Sequence, residues 1–152
     1  MARHLGLEAY FMEVSEVLSW DLRGEVVVSN RHMFAEVEID NGKRQVDFLS
    51  GSEKRYFSVR RISDERARAH YYNNLGVEKL TAGDPKDAVP YFSKALETDP
   101  TLSPALVNQG FAHRRLGSFD EAERSYLQAL EMRSGDPSAA SNLASLDRKS
   151  VV

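Results

Sequence analysis

The chain has 152 residues, a formal net charge of −3, and 41% hydrophobic and 28% charged residues. That balance fits an ordinary folded chain of one domain or two small ones and gives no overall electrostatic case for nucleic acid. Cysteine is absent, which excludes disulfides and thiolate metal sites, and no apolar run approaches the roughly 20 residues that span a bilayer.

In chain order, "ARHLG" at 2–6 reads as the last turn of a helix stopped by Gly6. Strand-forming stretches follow: "EAYFMEVSE", "EVVVSN", "HMFAEVEI", "KRQVDFL" and "RYFSV". Arg23-Gly24 and Asn41-Gly42 mark turns between them, the second a strong hairpin signal. Next, "EKRYFSVRRISDERARAH" gathers Lys54, Arg55, Arg60, Arg61, Arg66 and Arg68 around Tyr56 and Phe57. Basic residues between aromatics can bind single strands. Glu53, Asp64 and Glu65 interrupt the patch, however, so a solvated helix entry with Ser63 as its N-cap is the expectation, with no nucleic acid.

From residue 69 the sequence repeats itself with a shift of 34: Asn74/Asn108, Gly76/Gly110, Gly83/Gly117, Ala88/Ala122, Phe92/Tyr126, Ala95/Ala129, Leu96/Leu130 and Glu97/Glu131. The glycines let helix backbones approach, at about 1 kcal/mol of helix propensity each. Phe92 and Tyr126 fill the space beside the small residues. Asp84 before Pro85 is a helix start, Ser103-Pro104 repeats the device, and Pro90 should bend its helix. After Pro137, Leu143 and Leu146 share one face of a short helix with a polar far side, as a terminal cap needs. Five helices are expected near 63–82, 85–98, 103–117, 119–133 and 137–148.

The spacing, with Tyr72, Leu75, Gly76, Ala88, Phe92, Ala95 and Pro100 in the first copy, resembles the tetratricopeptide repeat. The expected fold class is α+β: an antiparallel β-subdomain over 1–62, then repeats at about 69–102 and 103–136 with a capping helix at 137–148. Two repeats are few for such an array, so the N-terminal part should pack on the first helix.

The groove of such an array would be lined by His70, Asn73, Asn74, Val77 and Thr81, and by Pro104, Val107, Asn108, Phe111 and Arg115. Asn73, Asn74 and Asn108 could hydrogen-bond an extended backbone, Val77 and Phe111 could accept an apolar side chain, and Arg115 closes the row. Repeats that clamp a chaperone's terminal carboxylate use a lysine and an asparagine where Asn73 and Val77 stand here; Asn108 alone matches. A peptide or protein partner is therefore expected, without that specificity. The plain alternative is that the groove only docks the β-rich half.

The β-rich half carries a second resemblance. "ARHLG" leading into "LEAYFMEV", then "HMFAEV" from His32 and "RQVDF" with Asp47, is similar to the transglutaminase-like branch of the papain-like cysteine fold. The resemblance implies that His32 is a base oriented by Asp47, serving a cysteine on a preceding helix. This chain has no cysteine, so a truncated, catalytically inactive chain is expected, with Met1-Ala2 as a new start. The alternative is the back part of a cysteine-dependent peptidase or acyl transferase. Two hairpin registers are open. With Asn41-Gly42 as the turn, His32 and Asp47 share a face but lie roughly 13 Å apart; with Asp40-Asn41 they become diagonal neighbours. Loss of a covering helix should also bare Tyr10, Met12, Val14 and Phe34, leading to self-association or to a mobile β half. His4, His70 and His113 lack carboxylate or histidine partners at ligand spacing, so neither a metal site nor a cofactor is expected.

Overall fold

The computed structural model describes residues 8–14, 20–23, 26–29, 33–39, 42–46 and 59–147. Among the described residues six strands precede five helices: β1 (Ala9–Val14), β2 (Trp20–Arg23), β3 (Val26–Ser29), β4 (Met33–Ile39), β5 (Gly42–Val46), β6 (Val59–Ile62), α1 (Asp64–Thr81), α2 (Pro85–Thr98), α3 (Ser103–Arg115), α4 (Phe119–Met132) and α5 (Pro137–Asp147). Mixed α+β architecture is therefore observed, with an antiparallel sheet of order β5-β4-β1-β6 and a separate β2–β3 ribbon. β2 was not expected; of the strand read from "RYFSV", residues 55–58 lie outside the described residues and Val59 opens β6.

Ile39 pairs with Gly42 and Ala35 with Val46, so residues 40 and 41 separate β4 from β5. This is the second of the two registers. His32 and Asp47 lie outside the described residues. The bare sheet face is not observed: Val14 and Phe34 are 1% exposed, and Tyr10 and Met12 are half-buried. Part of the reason is local, because the Arg61 guanidinium sits 3.3 Å from the centroid of the Tyr10 ring.

Each helix packs on its chain neighbours, α1 on α2, α2 on α3, α3 on α4 and α4 on α5; α1 also touches α3, and α3 touches α5. The odd-numbered helices thus form one layer and the even-numbered ones another. A Cβ on Gly76 would lie 2.5 Å from the Phe92 ring, and one on Gly110 would lie 2.6 Å from the Tyr126 ring. The repeated Gly–aromatic pair is therefore a direct contact. Both rings are fully buried, each worth roughly 1.5–3 kcal/mol of burial. Gly83 and Gly117 follow the ends of α1 and α3 with φ of 92° and 77°, a left-handed conformation that costs glycine little.

The caps differ in detail from expectation. Ser63 caps α1, its hydroxyl accepting from the Arg66 amide at 3.2 Å. Asp84 stands at the start of α2 without a side-chain capping bond. α3 is capped at Leu102, not Ser103, because Leu102 is drawn fully into the core with Ala69, Ala95 and Ala105. Asp136, by contrast, accepts from the amides of Ser138 and Ala139 at 3.0 and 3.2 Å. α2 continues through Pro90.

Candidate functional site: the face of the odd-numbered helices

α1, α3 and α5 lie side by side, and their shared face carries the residues expected to line a groove. The structure divides those residues by depth. His70 and Asn73 of α1, and Pro104, Val107 and Asn108 of α3, are buried; Asn73 stands at the middle of its helix and the others in the earlier turns. Val77 and Phe111 are half-buried, packed against the cluster of Leu80, Ala88, Phe92 and Ala112. Asn74, Thr81 and Arg115 are exposed. One end of the face is closed and the other is open.

At the closed end, Asn108 Nδ2 donates to Asn73 Oδ1 at 2.9 Å, a buried bond joining α1 to α3. A buried amide left unpaired would cost about 1–3 kcal/mol, so the pair also fixes how the two helices meet. The 34-residue spacing of Asn74 and Asn108 extends once more to Asn142 of α5, which is fully buried. That third asparagine was legible in the sequence as a continuation of the period beyond the second repeat.

At the open end, Arg115 Nη1 donates to the Leu80 carbonyl at 3.3 Å, and its guanidinium lies 6.0 Å from the Phe111 ring centroid. The bond to α1 steadies the arginine while leaving it exposed to solvent. Val77, Phe111 and Arg115 together offer an apolar rest with a planar cationic fork beside it.

Beside this face lies a buried charge cluster. Glu13 of β1 is 0% exposed. Its carboxylate accepts from Arg60 at 2.7 and 3.0 Å and from Arg66 at 2.9 and 3.3 Å, and His70 Nε2 stands 3.3 Å away. Arg66 Nη1 also donates to Asp99 at 2.8 Å, and Asp99 accepts from the Thr101 amide and hydroxyl at 2.9 and 2.6 Å. Burial opposes ionisation of Glu13, but the nearby His70 Nε2 and the hydrogen bonds from Arg66 and Arg60 prevail and hold its carboxyl well below the usual range. His70 thus has a carboxylate neighbour that sequence spacing did not reveal, because Glu13 is 57 residues upstream.

Much of the basic cluster is engaged in the same way. Arg60 and Arg66 bind Glu13, Arg68 pairs with Glu65, and Arg61 covers Tyr10. Among the described residues no group of three or more His, Asp or Glu side chains is arranged to hold a metal ion.

Comparison with known proteins places the helical half. The tetratricopeptide repeat model matches residues 79–146. The uncharacterized protein MJ0572 of Methanocaldococcus jannaschii is 38% identical over 63 residues, which are 41% of this chain and 73% of that protein. Among solved structures, the second TPR domain of human RPAP3 in complex with the HSP70 peptide SGPTIEEVD aligns with TM-score 0.51 and 23% identity over 52% of this chain and 66% of that one. The second TPR of Spaghetti, bound to the HSP90 peptide SRMEEVD, aligns at 0.53 and 15% over 55% and 78%. MamA from Desulfovibrio magneticus RS-1 aligns at 0.52 and 22%, over 57% of this chain and 48% of that one. At these identities the structures show a common fold.

Proposed function

We propose that the chain, whose helical half matches the tetratricopeptide repeat model over residues 79–146, is a protein–protein interaction module that binds an extended segment of a partner protein along the face of α1, α3 and α5. The observation that carries this reading is the open end of that face: Val77 and Phe111 half-buried, Arg115 exposed and held to the Leu80 carbonyl. An apolar partner side chain rests on Val77 and Phe111 while the Arg115 fork takes a backbone carbonyl or a carboxylate. The peptides bound by the two structural neighbours are acidic. Asn73 and Val77 give this face no lysine to clamp a terminal carboxylate, so its partner is recognised in mid-segment. In this reading the chain, which has no thiol, acts by binding and not by catalysis.

A peptide array of extended eight- to ten-residue sequences, probed with the full chain, tests this. Bound sequences should lose at least tenfold in affinity with Phe111→Ala and with Arg115→Glu. Binding indifferent to both substitutions would place the interface elsewhere.

A second reading concerns the sheet. The β4–β5 register is the one in which His32 and Asp47 would be diagonal neighbours, which favours the transglutaminase-like resemblance. On that reading the parent enzyme's cysteine stands upstream of "ARHLG", served by His32 as base with Asp47 orienting it. The reading frame immediately upstream decides it: a cysteine roughly three to five helical turns before Gly6 supports the enzyme, and its absence removes it.

A further inference from the structure

β3 lies against α3 and α5, the second and third helices of the face. α5 shows the consequence. Its Ala139, Leu143 and Leu146 pack into the cluster formed with α4, which accounts for one side of the helix. Ser138 and Asn142, about a quarter-turn away on the helix, are nevertheless fully buried, although no described helix follows α5. Among the described elements, β3 and α3 are, after α4, those that pack most against α5. α3 is buried at every residue from Ser103 to Asn108, as a helix covered on all sides would be.

We propose that β3 is a built-in occupant of the groove: the β2–β3 ribbon seats an extended strand across α3 and α5, where a partner segment running the length of the face would lie, and a partner gains this end by displacing it. This rests on the reading of the face as a binding surface. It also defines the ligand the closed end accepts. The occupant is "VVVS", an extended, β-branched, uncharged segment. The buried polar residues of α3 and α5 are small hydroxyls and amides, Ser103, Asn108, Ser138 and Asn142, with no charged side chain among the buried residues of either helix. Such a surface suits a neutral strand and disfavours the acidic peptides held by the structural neighbours, whose carboxylates would be desolvated without a cation. The groove then has two sections: an always-open end at Val77, Phe111 and Arg115, and a guarded end that takes a Val-rich strand. β2 and β3 pair only with each other among the described strands, so the ribbon can leave without breaking the four-stranded sheet.

Two experiments on the full chain test this. In the first, residues 20–29 are replaced by a Gly/Ser stretch of equal length, and a capped synthetic peptide of residues 24–30, GEVVVSN, is titrated into replaced and intact proteins. The replaced chain should bind the peptide at least tenfold more tightly than the intact one, and Asn142→Arg should abolish that binding. Equal binding to both proteins, or none to a replaced chain of unchanged helix content, overturns the proposal. In the second, native-state hydrogen exchange is followed on the unaltered chain against denaturant. Amides of residues 20–29 should open at lower denaturant than those of α3 and α5; exchange of ribbon and helices only through one common global transition overturns it. The exchange result does not depend on any outside partner, whereas failure of the Phe111 and Arg115 substitutions to affect array binding would remove the functional reading alone.

Discussion

Arg66 joins three parts of the molecule through one guanidinium: Nε donates to Glu13 of β1 at 2.9 Å while Nη1 donates to Asp99, between α2 and α3, at 2.8 Å. Arg66 is 15% exposed and Glu13 fully buried, so the pair sits where water cannot replace a lost partner. Breaking a buried pair from one side leaves an uncompensated charge. Arg66→Ala should therefore destabilise the fold by about 3 kcal/mol, read as a lower urea midpoint. Arg68→Ala, which removes an exposed pair, should change the midpoint by only a few tenths of a kcal/mol. Equal effects would show that the Glu13 cluster does not hold sheet to helices.

The same cluster sets an acid limit. Glu13 and Asp99 both have depressed folded-state pKa values, Asp99 because hydrogen bonds from Thr101 and the charge of Arg66 outweigh its burial. Unfolded, these groups titrate near 4, at about 3.9 for Asp and 4.3 for Glu. Below that range the unfolded chain binds protons that the folded chain refuses, so stability falls as pH falls. Urea unfolding should show full stability from these groups above about pH 5 and a progressive loss toward pH 3. Glu13→Gln should be less stable at pH 7 and show a shallower loss across the acid range.

The Gly–aromatic contacts predict coupled substitutions. Gly76→Ala and Gly110→Ala each gain roughly 1 kcal/mol of helix propensity but drive a Cβ into a fully buried ring. Overpacking of this kind costs about 1–3 kcal/mol, so both variants should have a lower melting temperature. In a double-mutant cycle, Gly76→Ala with Phe92→Leu should be less destabilised than the sum of its parts. Additivity would mean that glycine and ring do not meet.

Tyr126 offers the opposite sign. Its hydroxyl is buried without a hydrogen-bond partner among the described residues, and burial pushes its phenol well above the usual range. The equivalent residue of the first repeat is Phe92. Tyr126→Phe should be neutral or more stable by up to about 1 kcal/mol, because an unsatisfied hydroxyl leaves the core. Phe92→Tyr should destabilise. A marked loss on Tyr126→Phe would reveal a partner for the hydroxyl.

The helical half was legible because its information is local and periodic. A 34-residue shift that repeats glycine, alanine and aromatic at fixed offsets states which residues must touch, and Gly76–Phe92 and Gly110–Tyr126 do. The start of α1 followed from Ser63 as its cap, whereas the Asp136 cap of α5 came to light only in the structure. The position of Asn142 was present in the same period. Tertiary structure decided what periodicity does not encode. The two hairpin registers put the same side chains on the same faces, so hydrophobic pattern could not choose between them, and the pairing of Ile39 with Gly42 emerged only with the assembled sheet. Glu13 found Arg66 and His70 across more than fifty residues, a match of charges that leaves no spacing to read. That β3 comes to rest against α3 and α5 is likewise a long-range packing choice made by the whole chain.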